Sequence, residues 1–337
     1  MLAAGLLVVA GAWVLLFGIP ATAIDPGTEV GYEIEGDFIP GISGFPVIES
    51  HFPIQSIERI VVSVADRQSF HVDIANYRNQ EGVARRAQIF LPDDPVNSSD
   101  RFKSDLNRLR WQAWLDAGKA IADIDSTKPV FIAWWDDAQR IDLLSGQQTW
   151  VDAPVGEAFE HDYRNLWRHV SGGFEASAVP LKQLAVWLLS DAESALRSIR
   201  NQTGADNVYI LVTIDDLARL SEVRALSGKP VPFETRLFPA DENVHRQIAR
   251  VRRWARAKGA GSYLVEHLAG RGVRVWRITT FEGERTLLAR LLPFTSSLVK
   301  PLATLDLVHR SDWSGFLSIY RWNRSEVEKV APNANTR

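Results

Sequence analysis

Two pairs of adjacent aspartates are the residues in this chain best placed for chemistry. Asp136 and Asp137 follow Trp134 and Trp135 at the end of the apolar run Val130–Trp135. Asp215 and Asp216 follow the β-rich run Asn207–Thr213 in the same relation. Both runs read as strands. If they lie parallel and adjacent, four carboxylates gather at one sheet edge, where open α/β folds bind ligands. Acids there could hold a hard cation through oxygen or receive a cationic or hydroxyl-bearing ligand. Arg140 lies on the short helical run that follows, before a Ser145-Gly146 turn, and can pair with either neighbouring acid. The same aspartates have a plainer use: each pair can cap the next helix by accepting its free amide hydrogens. Trp134 and Trp135 adjoin on the predicted strand, so their side chains point to opposite faces. One then belongs to the core, and the other forms an aromatic wall or packs beneath a helix. Trp134, Trp135, Asp136, Asp137, Arg140, Asp215 and Asp216 are therefore the candidate ligand-binding residues.

Other chemistries find little support. The chain has no cysteine, which removes disulfides, thiolate nucleophiles, cysteine-ligated iron–sulfur clusters and Cys-x-x-Cys-His haem attachment. If it works beside a c-type cytochrome, the haem belongs to the partner. No His-Glu-x-x-His occurs among the seven histidines. His161 and His169 stand eight apart on a helix expected over Glu157–Val170, too far along its axis to share a small ion unaided. Glu157 and His161 share a face of it. There is no Walker loop and no Gly-x-Ser-x-Gly elbow, and Gly270-Arg271-Gly272 lacks the rest of a dinucleotide fingerprint. No catalytic residue, metal ligand or cofactor is assigned. A formal net charge of -3 argues against a general polyanion binder and, for an exported chain, against nucleic acid. The one basic cluster runs from Arg246 to Lys258 on a predicted helix, Asp241–Lys258. Arg246, Arg250 and Arg253 fall on one face of it. With Arg256 they are candidates for docking an acidic partner or anionic lipid, against the alternative of a solvated helix face.

The elements that must position these residues follow from apolar pattern. Met1 to Ile24 carries no charged side chain. At about 1.5 Å rise per residue it nearly crosses a hydrocarbon core of roughly 30 Å. Ala21-Thr22-Ala23 resembles a signal-peptidase site, so a retained anchor and a cleaved signal peptide both stand. Either way export is expected: a single-pass protein of the bacterial inner membrane with its main domain in the periplasm. Residues 25–55 are rich in Gly and Pro and read as an irregular tether. Residues 56–325 form the exported domain, and 326–337 a C-terminal tail. Within the domain, Ile57–Ala65 and Ser69–Ala75 read as a hairpin joined at Asp66-Arg67-Gln68. Helices are expected over Ser99–Ile124, Pro180–Arg200, from Asp215 toward Leu226, and over Glu282–Leu292. Val273–Thr280 reads as a strand, and Thr304–His309 with Phe316–Trp322 as a closing antiparallel pair. Strands alternating with helices predict an α/β fold: a mixed, mostly parallel sheet with helices on both faces.

Two resemblances bear on this. Trp134, Trp135 and Asp136 resemble the start of the Trp-Trp-Asp-Tyr-Gly motif of oligosaccharyltransferase catalytic subunits, with Asp137-Ala138 in place of Tyr-Gly. Those transferases have many membrane spans and metal-binding acids in membrane-proximal loops. The likeness covers roughly twenty residues and implies α/β topology rather than the activity. More broadly, the chain is similar to the hydroxylamine oxidation protein HaoB family. The shared features are size, one N-terminal hydrophobic segment, an exported domain lacking haem motifs, and the Trp-Trp-Asp-x-Ala-x-Arg-Ile-x-Leu-Leu-x-Gly pattern of Trp134 to Gly146. That resemblance implies an accessory role beside a multihaem hydroxylamine-oxidising enzyme and brings no catalytic residues. The expected function is thus a membrane-anchored accessory or scaffold, whose anchor raises the effective concentration of a multihaem oxidoreductase or other exported partner. The alternative is a ligand-binding or glycan-transfer-related domain using the sheet-edge acids.

Overall fold

A computed structural model describes residues 30–41, 48–64, 68–91, 101–125, 128–259, 261–268, 272–312 and 315–323. The apolar segment 1–24 and the tail 326–337 lie outside them. Among the described residues no helix is long and apolar enough to cross a membrane.

The strands fall into three sheets. In the first, β1 (Val30–Phe38), β2 (Ile54–Val64), β3 (Gln68–Arg78) and β4 (Ala84–Ile89) form an antiparallel meander in chain order. The predicted hairpin is there, as β2 paired antiparallel with β3; its joining residues 65–67 lie outside the described ones. β1 runs through the stretch expected to be an irregular tether. Its glycines do not prevent pairing: Gly31 lies opposite Ser63 in regular register, and a register shift falls between Ile34 and Gly36.

The second sheet orders its strands β10 (Leu305–Arg310), β11 (Leu317–Trp322), β6 (Val208–Thr213) and β5 (Val130–Ile132). The third places β9 (Gly272–Ile278) between β7 (Phe233–Pro239) and β8 (Tyr263–Leu268). The fold is mixed α/β, as expected, but the sheets are mostly antiparallel. Among the described strands only β5 and β6 pair in parallel. Alternating strand and helix runs do not by themselves fix strand direction. A parallel pair needs a long crossover, whereas strands separated by a few residues can only turn back on each other. β8 to β9 and β10 to β11 are such short connections, and β1, β4, β7 and β8 carry weak apolar patterns that the sequence reading passed over.

The helices are α1 (Arg101–Ala122), α2 (Trp135–Ser145), α3 (Arg164–Ser171), α4 (Val179–Leu188), α5 (Ala192–Thr203), α6 (Leu220–Ser227), α7 (Val244–Arg256), α8 (Leu287–Leu291) and α9 (Thr295–Val299). The helix expected over Glu157–Val170 is instead two 3-10 turns followed by α3. Glu157 therefore does not share a helix face with His161, and pairs with Lys182 at 2.6 Å. The long helix expected over Pro180–Arg200 breaks into α4 and α5, where Asp191 caps the second by accepting from Ser194 N.

One large apolar core joins the first two sheets to the helices. Every residue of β6 is buried, so this strand is covered on both faces. A second, small core of Phe238, Val251, Val273 and Val275 lies between α7 and one face of the third sheet. The other face of that sheet, through Leu264, Trp276 and Ile278, belongs to the main core.

Candidate functional site

Parallel pairing brings the acids together. Val130 faces Val208 and Ile132 faces Ile210, so β5 and β6 end at the same edge. The chain then turns from β5 directly into α2. Trp134 is its N-cap in extended conformation, and Trp135 is its first residue. The two tryptophans are therefore not consecutive strand residues pointing to opposite faces. Both indoles donate to one oxygen, Glu222 Oε2, at 3.1 and 3.3 Å. From β6 the chain enters a 3-10 turn, Ile214–Leu217, and then α6. α2 ends where the predicted turn stands. Gly146 adopts φ 66°, and a Cβ there would meet His51 Cδ2 at 2.6 Å.

Arginine occupies the space among these acids. The Arg219 Nη1 donates to Asp137 Oδ2 at 3.0 Å and to Asp216 Oδ1 at 2.8 Å. Its Nη2 donates to Asp137 Oδ1 at 3.2 Å and to Asp136 Oδ2. Arg140 closes the other side. Its Nη1 reaches Asp137 Oδ1 at 2.5 Å, its Nη2 reaches Asp136 Oδ2 at 3.1 Å, and its Nε reaches the Gln88 carbonyl at 2.8 Å. The Arg140 guanidinium also lies over the Phe90 and Trp114 rings. Asp215 points away from this group and accepts from Arg110 Nη2 of α1 at 2.8 Å. Arg110 lies 3.9 Å from Glu266 on β8, which pairs with Arg274 on β9 at 3.3 Å. A continuous layer of charge thus runs from the β5–β6 edge to the third sheet, and all its members are buried.

Capping explains one aspartate of the four. Asp216 Oδ2 accepts from Thr213 N at 2.8 Å within a capping box. Asp136 and Asp137 occupy the first turn of α2, where no side chain caps the helix, and serve the arginines instead.

The charges do not balance as fully ionised groups. Among the described residues, this layer holds six buried carboxylates, Asp136, Asp137, Asp215, Asp216, Glu222 and Glu266, against the four guanidiniums of Arg110, Arg140, Arg219 and Arg274. Uncompensated charge is expensive in a low-dielectric interior, which favours the protonated form of some of these acids. Burial pushes Asp216 up to about 7 against the pull of Arg219, with Asp137 and Asp136 repelling it further. Burial raises Glu222 to about 7 as well, opposed by Arg219. Asp137 is raised by burial and by Asp136, whereas Arg219 and Arg140 overcome burial at Asp136 and hold it below the usual range. These acids do not line an open site. A surface groove of about 700 Å³ lies elsewhere, lined by residues including Asp191, Ser262, Phe281, Arg290 and Val299, and none of the seven candidates reaches it. Among the described residues no group of three or more His, Asp or Glu is arranged to hold a metal ion.

Sequence reasoning missed Arg219, although a signal was present. Asp136-Asp137-Ala138-Gln139-Arg140 and Asp215-Asp216-Leu217-Ala218-Arg219 share the pattern Asp-Asp-x-x-Arg. In both, the second aspartate meets the arginine three residues on. Arg110, Glu222, Glu266 and Arg274 carry no such local mark.

The basic cluster lies on α7, capped by Asn243, whose Oδ1 accepts from Arg246 N at 3.1 Å. Arg246 and Arg250 both approach Asp241, at 2.7 and 3.7 Å. The Arg246 hydrogen bond holds Asp241 down at about 2. Arg253 and Arg256 are exposed on the same helix.

Comparison with known proteins places this chain. The model of the family described as HaoA-associated protein HaoB matches residues 1–322. The chain belongs to the HaoB family. No curated protein matches it. A solved structure, the C-terminal globular domain of an oligosaccharyltransferase from Archaeoglobus fulgidus, is 9% identical. It covers 63% of this chain and 96% of that one at a TM-score of 0.32. Likeness at that level carries no argument about activity. HaoB-family membership, by contrast, points to an accessory role in hydroxylamine oxidation, since the family is described by its association with HaoA.

Proposed function

We propose that this HaoB-family chain is an exported accessory protein, held at the outer face of the bacterial inner membrane by residues 1–24. There it docks a multihaem hydroxylamine-oxidising partner. The observation that carries this reading is the family match over residues 1–322. The geometry supports it: the seven sheet-edge candidates face one another, arginines and Glu222 inside the protein. The basic row of α7 faces outward. The anchor confines the domain to a plane and raises the local concentration of its partner. The exposed arginines of α7 then steer an acidic surface toward it. With no cysteine in the chain, any covalently attached c-type haem comes from that partner. The alternative, a ligand-binding or glycan-transfer-related domain, requires the acids to open onto a pocket, and burial at 1–4% exposure works against it.

Affinity isolation of the full-length chain from detergent-solubilised membranes at low salt is expected to recover a haem-staining protein, which is released as salt rises. Recovery of no multihaem protein overturns the docking role. External protease added to spheroplasts is expected to digest the main domain; full protection would overturn the proposed topology.

A further inference from the structure

α7 continues an apolar stripe beyond the sheet that supports it. Val244, Ile248, Val251 and Ala255 recur at helical spacing and lie along one side of the helix. The C-terminal half of the stripe is covered: Val251 is 5% exposed and packs with Phe238, Val273 and Val275, and Ala255 is 0% exposed. The N-terminal half is bare, with Val244 61% and Ile248 42% exposed. A stripe that is covered at one end and open at the other has its unfilled part where a second molecule can complete it.

We propose that Val244 and Ile248 are the apolar anchor of the α7 docking surface, seated in an apolar recess of an acidic protein partner. This rests on the accessory reading above and adds the contact that would hold the complex after encounter. The surroundings select the partner's chemistry. Arg252, Arg253 and Arg256 on α7 have no acid beside them among the described residues, while Arg246 and Arg250 share Asp241. An apolar centre rimmed by arginine matches the anatomy of a specific protein interface. A bilayer fits less well. Asp241 and Glu242 stand just before α7, close in the chain to Val244, and would be pressed toward anionic headgroups.

The test uses the full-length chain with the double substitution Val244→Asp and Ile248→Asp, and separately Arg252→Glu with Arg253→Glu. All four side chains are exposed, so both variants should melt as the parent does, which thermal unfolding checks. Retention of the haem protein should weaken at least about tenfold in the apolar variant at every salt concentration, mainly through faster dissociation. The charge variant should lose chiefly salt-dependent association. If the parent retains the haem protein and the apolar variant retains it equally, this anchor is wrong and the accessory role survives. If the parent retains none, the accessory role itself fails. If anionic vesicles holding the full-length parent protect α7 from hydrogen exchange more than neutral vesicles do, and the apolar variant loses that protection while retaining the haem protein as the parent does, the occupant is lipid and the proposal is overturned.

Discussion

Two regions of this protein use the same residue types to opposite ends. At the β5–β6 edge, arginine and aspartate meet inside the molecule, each guanidinium shared among several carboxylates and that of Arg140 lying over the Phe90 and Trp114 rings. At α7, arginine and aspartate meet at the surface, as Arg246 and Asp241 do, with the guanidinium itself mostly in water. The chemistry of the pair is common to both, and solvent makes the difference. Inside, neither partner can be rehydrated, so each depends on the other and the layer ties α1, α2, β6, α6, β8 and β9 together. Outside, water and salt replace either partner readily. An acid cluster in a sequence therefore says little about ligand binding until its burial and counter-charges are known.

Removing Arg219 should break this contrast most sharply. Arg219→Met leaves Asp136, Asp137 and Asp216 short of their shared cation, and a stability loss of about 3–5 kcal/mol is expected in denaturant unfolding. Arg250→Met on α7 is the comparison. Equal losses for the two would mean that burial does not separate the regions.

Glu222 sharpens the contrast through pH. Its folded-state value of about 7 lies above its ordinary 4.5, so the folded protein holds a proton that the unfolded chain releases. That contribution to stability is fully present below pH 4.5 and is lost as pH rises through about 7. Glu222→Gln keeps an oxygen for the Trp134 and Trp135 indoles but does not titrate. Relative to the parent, the variant should therefore gain stability between pH 5 and pH 8. Denaturation midpoints at those two values measure it, and an unchanged difference between parent and variant would refute the retained proton. The smallest effect is expected on the surface: Asp241→Asn should leave the melting temperature nearly unchanged at physiological salt. A large drop would mean that Asp241 supports the α7 cap far more than its pairing with the water-exposed Arg246 implies.

Much of this was legible beforehand. Apolar runs ending at paired aspartates identified β5 and β6, and a parallel pair of such strands does bring their ends together. The β2–β3 hairpin, α1, the closing β10–β11 pair and the Gly146 helix stop all left local marks. Other features did not. α4 and α5 look like one helix by periodicity alone, because a break of a few residues at Leu189–Asp191 barely disturbs the apolar spacing. The tryptophans were placed on a strand because β-rich composition continues past Ile132, whereas the helix begins at Trp135.

The sequence by itself determined the mixed α/β class, the acid pairs that follow β5 and β6, the basic character of α7 and the resemblance to the HaoB family. Each of these follows from residues close together in the chain or from side-chain type. Tertiary structure alone decided strand direction, the pairing of Arg110 with Asp215, the reach of Arg219 to Asp136 and Asp137, and which end of the α7 stripe stays bare. Those depend on contacts between residues as far apart as Arg110 and Asp215. The free energy of a buried charge is fixed by its final surroundings, and no short stretch of sequence contains them.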